Sequence, residues 1–379
     1  MSEETEVMNC RTLFLLILLS APMLVACTPA YRATEGSLPA LFVLNGGDGT
    51  LSVHDAQTGR LVQESAAMQP KPLSIEPGPG GTVLLLVQEP PEKGGIAVLQ
   101  TSVAAGGSPI RKIDVATHGR SGLLASNRGS FAAVAYRDGR ADGDGNSLCQ
   151  IAVLDVDNGT MRRVRRLCGE GEQIRSLAVL TDEQGSVVYA GIWRWRVDGS
   201  SGERSGGQVV ALDAASGVVL AVGRLPAIPA KLLPARSPDG SGRLLYVVEE
   251  QPDEHASANE AEARPRIIGV DIRSLTVETV FLGSSPAQNL AMDPDGRTGY
   301  VLSTDRNLWQ IDLVSGGERH IGKLPSAGVG LAVAGSVVYV ANPYGTNVWA
   351  VDATSGRLRS ITTGKRPIAL LASSDSQAH

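Results

Sequence analysis

Five basic residues, Lys71, Arg120, Arg175, Lys231 and Arg366, stand at or just ahead of the start of apolar segments distributed through the chain. Brought to one level of a closed scaffold, such side chains would form a cationic ring able to hold a small anionic ligand; pointing outward, they would only be solvated. A second candidate is the run Asp142, Gly143, Asp144, Gly145, Asn146, whose oxygen-bearing side chains alternate as at the start of a calcium loop. The later Gly and the bidentate Glu of that loop are missing, with Val153 at the final place, so the run reads first as a polar turn and only weakly as a metal site. A third is the insertion at 193–207, which carries Trp193, Arg194, Trp195, Arg196 and Arg204, followed by an acidic insertion at 250–266 with Glu250, Asp253, Glu254, Glu260 and Glu262. Exposed Trp and Arg are the residue types that dominate interface hot spots, so the pair of insertions is either a surface for a protein partner or two loops that satisfy each other.

Signatures of catalysis are absent. There is no Cys-x-x-Cys-His, no His-x-x-x-His and no Gly-x-Ser-x-Gly, and His54, His118, His255 and His320 are scattered. No cofactor is expected. A net charge of -5 over 379 residues offers no basic face for phosphates, which argues against nucleic acid as a partner.

The elements that would have to position these residues are marked by repeated turns. Asp-x-x-[Ser/Thr/Asn]-Gly recurs from Asp55, Asp155, Asp213, Asp312 and Asp352, and from Asp271 with Leu275 at the Gly place. The carboxylate accepts backbone N–H groups and the glycine takes the positive φ that closes the turn. A second turn, "SPDG" at 237–240 and "DPDG" at 293–296 with looser forms at 77–81 and 182–185, precedes another set of strands. Those strands are 41–45, 82–87, 131–136, 187–192, 244–249, 298–303 and 337–342. The unit is four strands repeated seven times, weakest in the second unit, where "VLQTSVAAGG" lacks the Asp–Gly turn.

The words "VYVAN", "VDATSG" and "SPDG" resemble the YVTN-type propeller repeat over about 38–373. The resemblance implies an all-β fold, a seven-bladed β-propeller of four-stranded blades spanning 41–373, with a tail at 374–379. "FVLNGGDGTLSVHDAQTGRL" at 42–61 aligns without a gap on "YVANPYGTNVWAVDATSGRL" at 339–358 because the chain enters on the second strand of one blade and supplies that blade's first strand at 366–373. In such a fold the loops after the second and fourth strands share one face. Four consecutive units carry insertions after the second strand, at 88–95, 137–147, 193–207 and 250–266, and the five basic residues fall at the mouth of the central channel. The arginines of "MRRVRRL" (161–167) fall on an outer strand, where charge discourages strand addition by another chain.

The first 26 residues read as a signal peptide: the apolar run 12–26 is short and closely followed by polar sequence. "LVAC" (24–27) resembles the lipobox of bacterial lipoproteins, which implies lipidation of Cys27, a tether over 27–40, and an extracytoplasmic protein anchored to the bacterial membrane, the outer membrane in a diderm. Cys149 and Cys168 flank one hairpin at similar distances from its turn, and in an oxidising envelope a cross-strand disulfide is expected, against two unpaired cysteines in non-facing register. The reading favours a non-catalytic binding or scaffold module working through the loop-bearing face on a protein or envelope component. The competing class is a lactonase-like hydrolase with its site at the channel mouth.

Overall fold

The computed structural model describes residues 39–373 apart from 66, 90–94, 102–108, 139–148, 170, 183–184, 195–205, 226–227, 237–242, 251–265, 283–286 and 294–295. Among the described residues, 28 strands form seven four-stranded antiparallel sheets, the blades of a propeller. From the inside out, blade one is β28 (Pro367–Ala372), β1 (Ala40–Asn45), β2 (Thr50–Asp55) and β3 (Leu61–Glu64). Blade two is β4 (Pro72–Pro77), β5 (Val83–Gln88), β6 (Ile96–Thr101) and β7 (Pro109–Ala116), and blade three is β8 (Gly119–Ser126), β9 (Phe131–Asp138), β10 (Gln150–Asp155) and β11 (Thr160–Arg166). Blade four is β12 (Glu172–Asp182), β13 (Gly185–Arg194), β14 (Gly207–Asp213) and β15 (Val219–Leu225), and blade five is β16 (Ile228–Arg236), β17 (Arg243–Glu250), β18 (Arg266–Asp271) and β19 (Val277–Leu282). Blade six is β20 (Ala287–Met292), β21 (Thr298–Ser303), β22 (Asn307–Asp312) and β23 (Glu318–Lys323), and blade seven is β24 (Leu331–Ala334), β25 (Val337–Ala341), β26 (Asn347–Asp352) and β27 (Leu358–Thr362).

The second strands are unbroken apolar runs because each is covered on both faces, by the blade before and the blade after. Leu84 and Leu86 pack toward blade three while Leu85 packs toward blade one, all without exposed surface. Each such leucine contributes roughly 1.5–3 kcal/mol by leaving water. The core is therefore a cycle of apolar layers between blades. The inner strands β28, β4, β8, β12, β16, β20 and β24 contact one another in that order and back to β28, which closes the ring. Blade one joins the two ends of the described chain: β1 pairs with β28 from Leu41 opposite Ala372 to Asn45 opposite Pro367.

The Asp–Gly turns join the third and fourth strands on the lower face. The carboxylates of Asp55, Asp155, Asp213, Asp271, Asp312 and Asp352 each accept the backbone N–H three residues on, at 2.6–3.0 Å. These bonds hold the carboxyls below the usual range, at Asp155 against a burial that pushes the other way. In five of these six a backbone bond ties the turn to the one before the second strand: Ala56, Val156, Ala214, Leu313 and Ala353 donate to Pro39, Ser130, Ser186, Arg297 and Ser336.

One expectation is overturned. Cys149 and Cys168 are free thiols buried in the layer between blades three and four, and they form no disulfide. The reason lies in the hairpin between them. The pairing, which runs from Asp155 opposite Thr160 to Gln150 opposite Arg166, puts Leu167 opposite Cys149, and Leu167 N–H donates to Cys149 O at 3.0 Å. Cys168 falls one place past the facing position. The Cys149 thiol donates instead to Glu172 O at 3.2 Å.

Candidate functional site

The loops after the second and fourth strands meet on the upper face. In blade one, Gly46 N and Gly47 N donate to Arg366 O and Lys365 O at 2.9 and 2.8 Å, and Lys365 N donates to the Asp48 carboxylate at 2.8 Å. Burial pushes the Asp48 carboxyl up, but the bonds from Lys365 and Thr50 outweigh it and leave it low. Lys71 Nζ donates to Gly47 O at 3.1 Å and stays exposed, as does Arg366, whose φ of 54° turns it out of the loop.

On blade four, Arg175 is the extra residue of a bulge between Ile174 and Ser176 in β12. The bulge re-aims its side chain to the exterior, where the guanidinium carbon lies 5.8 Å from the centre of the Trp193 ring. Trp193 is fixed by strand pairing on both sides, opposite Gln173 in β12 and Gly207 in β14. The stacked pair thus stands on rigid strand ends at the root of the 193–207 insertion. Arg194 continues β13, and Arg120 lies on β8 beside Gly119. The Arg120 and Arg194 side chains, together with Trp195, Arg196, Asp142, Asp144, Asn146 and Cys27, lie outside what the structure describes.

Lys231 is placed differently from the other basic residues. Six of the seven inner strands carry a bulge near their upper end, and the residues that follow it are Ser74, Gly122, Ser176, Lys231, Asn289 and Ala369. They form one level of the ring. Ser176 Oγ donates to Pro229 O of blade five at 2.6 Å; Lys231 Nζ donates to Asn289 Oδ1 and, at 2.7 Å, to Leu290 O of blade six; Asn289 Nδ2 donates to Val329 O, ahead of blade seven, at 2.8 Å. A belt of bonds therefore links blades four to seven below the mouth.

Across the ring, Glu76 follows Ser74 on the same face of β4, and its charge is felt by Lys231. Both residues keep a little surface, yet protein surrounds them on every side, and that enclosure sets their ionisation. Burial pushes the Glu76 carboxyl up to about 8 although Lys231 pulls it down, and burial pushes the Lys231 ammonium down to about 8 although Glu76 pulls it up. Of the four basic residues whose side chains are described, Lys231 lies inside the channel, while Lys71, Arg175 and Arg366 are exposed on the upper face with separate surroundings.

Sequence reasoning missed a polar row inside blade one. Thr50, Ser52 and His54 share one face of β2 and are buried, with Asn45 Nδ2 donating to Thr50 Oγ1 at 3.0 Å and Ser52 Oγ at 3.2 Å. His54 Nε2 lies 3.1 Å from Ser52 Oγ, and Nδ1 lies 3.2 Å from Gly59 O. A hydroxyl beside an imidazole is the geometry of an activated nucleophile. Here the serine is 1% and the histidine 0% exposed, so no substrate reaches them. Burial pushes His54 below its ordinary value and keeps it neutral. The alternation Thr50, Ser52, His54 was the available signal, visible as polar residues on a strand otherwise read as core.

The fold and this ring define a seven-bladed β-propeller. No protein-family model and no curated protein matches the sequence. Among solved structures, the chain is similar to apo AztD from Citrobacter koseri at 16% identity and a TM-score of 0.51, over 89% of this chain and 98% of that one. It is similar to the dihydro-heme d1 dehydrogenase NirN in complex with DHE at 12% identity and a TM-score of 0.52, over 92% and 78%. The β-propeller domain of Myceliophteria thermophila Cps50 (Swd1) matches at 14% identity and a TM-score of 0.52, over 78% and 87%. Likeness at these identities establishes the fold alone.

Proposed function

We propose that this propeller is a non-catalytic binding module that holds a protein or another envelope component on its upper face. The observation that carries the reading is the Arg175 and Trp193 pair, an exposed cation over a half-buried aromatic, fixed on strand ends at the root of an insertion rich in Trp and Arg. On the lower face Arg162 also stacks on an aromatic, 5.1 Å from the centre of the Phe131 ring, but it is bonded to Asp155 of a tight turn and has no insertion beside it. Lipidation at Cys27 would fix the module to the bacterial membrane on its extracytoplasmic side, with 27–40 as tether. The buried Ser52 and His54 pair lends no support to a hydrolase.

The test is mild crosslinking of the lipidated protein in its own membranes, comparing wild type with Arg175→Ala/Trp193→Ala and with a form whose 193–207 and 250–266 loops are shortened. One partner retained by wild type and lost by both variants, at unchanged melting temperature, supports the reading. Equal capture by all three forms, or none, overturns it.

A further inference from the structure

The outermost strand of each blade is an edge, with a row of N–H and C=O groups turned away from the sheet, and charge is the usual guard against pairing there. On β7 and β11 a basic residue comes third, on β19 and β27 a charge comes second, on β23 first, and on β3 Glu64 comes fourth. β15 is the exception: Val219 to Gly223 are uncharged, and Arg224 follows only as its sixth residue. Among the described residues no strand pairs with its outer side. Ala221 and Leu225 pack into the layer between blades four and five. Leu220 and Val222 do the opposite at 56% and 55% exposed, as does Val218 just ahead of the strand at 53%. No other outer strand gathers so much exposed apolar surface. A bulge leaves Leu220 without a partner on β14, but from Ala221 opposite Ala211 to Leu225 opposite Gly207 the strand is regular and able to pair again.

We propose that β15 is a self-association edge, on which a second copy of this chain pairs its own β15 antiparallel about a two-fold axis at Val222. In such an isologous contact Val222 meets the same residue of the second copy, and Leu220 stands opposite that copy's Arg224. The arginine stem covers the leucine while the guanidinium stays in water. The two guanidinium groups then lie four residues apart along the pair, roughly 13 Å, beyond the ~8 Å screening length of physiological salt. The same operation on β11 would set arginine against arginine. An edge whose middle is uncharged has no means of selecting a strand of particular charge, and its apolar row is complementary to itself. Three half-exposed side chains per copy cover well under the roughly 1,000 Å² of a stable interface, so the dimer is weak and reversible, with a dissociation constant on the order of 100 μM. This surface is separate from the Arg175 and Trp193 pair and does not depend on it.

The experiment is analytical ultracentrifugation of the full protein in a neutral detergent, from roughly 1 μM to 1 mM. Wild type should pass reversibly from monomer to dimer. Val222→Lys sets two ammonium groups against each other at the axis and should stay monomeric, with its melting temperature unchanged because the site is half exposed. Leu220→Lys and Leu220→Glu remove the same apolar surface but differ toward Arg224. The lysine variant should dimerise more than tenfold more weakly than wild type. The glutamate variant should keep its affinity within several-fold at low salt and lose it at high salt. A wild type that stays monomeric to the highest concentration overturns the proposal and leaves the edge to a different chain. It is equally overturned if Val222→Lys dimerises as wild type does, which marks two copies sharing a micelle, or if the two Leu220 variants behave alike.

Discussion

The phenol of Tyr339 in blade seven donates a hydrogen bond to the carbonyl of Ala56 in blade one, and Arg359 Nη2 donates to the same oxygen at 3.0 Å. Two donors thus meet at the joint that the chain closes last, where a blade made of both ends packs on its neighbour. Tyr339 is 1% exposed, and burial pushes its phenol up, so it stays a donor at every ordinary pH. Tyr339→Phe leaves Ala56 O bonded to Arg359 and should cost only about 1 kcal/mol. The double change with Arg359→Ala orphans the carbonyl and should cost more than the sum of the single changes, as read by urea unfolding.

His54 makes stability depend on pH. Its folded value lies below the ordinary 6.5 because it is buried, so below pH 6.5 the unfolded chain binds a proton that the folded chain refuses. The stability contributed by the neutral imidazole is complete above pH 6.5 and is lost as pH falls below it. Chemical denaturation between pH 5 and 8 should show this decline in wild type. His54→Gln should flatten it while lowering stability overall.

Leu275 occupies the Gly place of its turn with a φ of 54°, a conformation that strains a side chain. It is nonetheless 3% exposed, in the layer between blades four and five, and its Cβ and carbonyl sit against Gly223. Backbone relief in Leu275→Gly is worth roughly 1–2 kcal/mol, less than the roughly 2–5 kcal/mol lost on emptying a leucine site. The variant should therefore be less stable. Gly356→Ala, at a φ of 70° with Ile321 O 2.7 Å from the new Cβ, should also be less stable, through strain alone.

The blade count was legible because the turns are local chemistry: an aspartate and a glycine four residues apart specify a hairpin wherever it lies. Even the departure at Leu275 was visible, and what the sequence hid was the burial that offsets the strain. The channel was not legible. Ser176, Lys231 and Asn289 are ordinary surface-type residues in the linear chain, and the belt they form depends on ring closure and on bulges that no residue pattern announces. The cysteines were misread because similar spacing from the turn does not fix register: Leu167, not Cys168, stands opposite Cys149.

The two thiols provide the last prediction. The Cys168 thiol is raised far above its ordinary value, first by its hydrogen bond to Cys149 and then by burial, while that same bond lowers Cys149. A thiol is alkylated through its thiolate, so Cys168 should be inert to iodoacetamide in the folded protein, and Cys149, 7% exposed, should react slowly despite its lower value. In denaturant without reductant, the peptides containing Cys149 and Cys168 should both carry the full alkyl mass. A crosslinked peptide pair, two hydrogens lighter than the sum, would contradict the free-thiol arrangement and with it the register that sets Leu167 opposite Cys149.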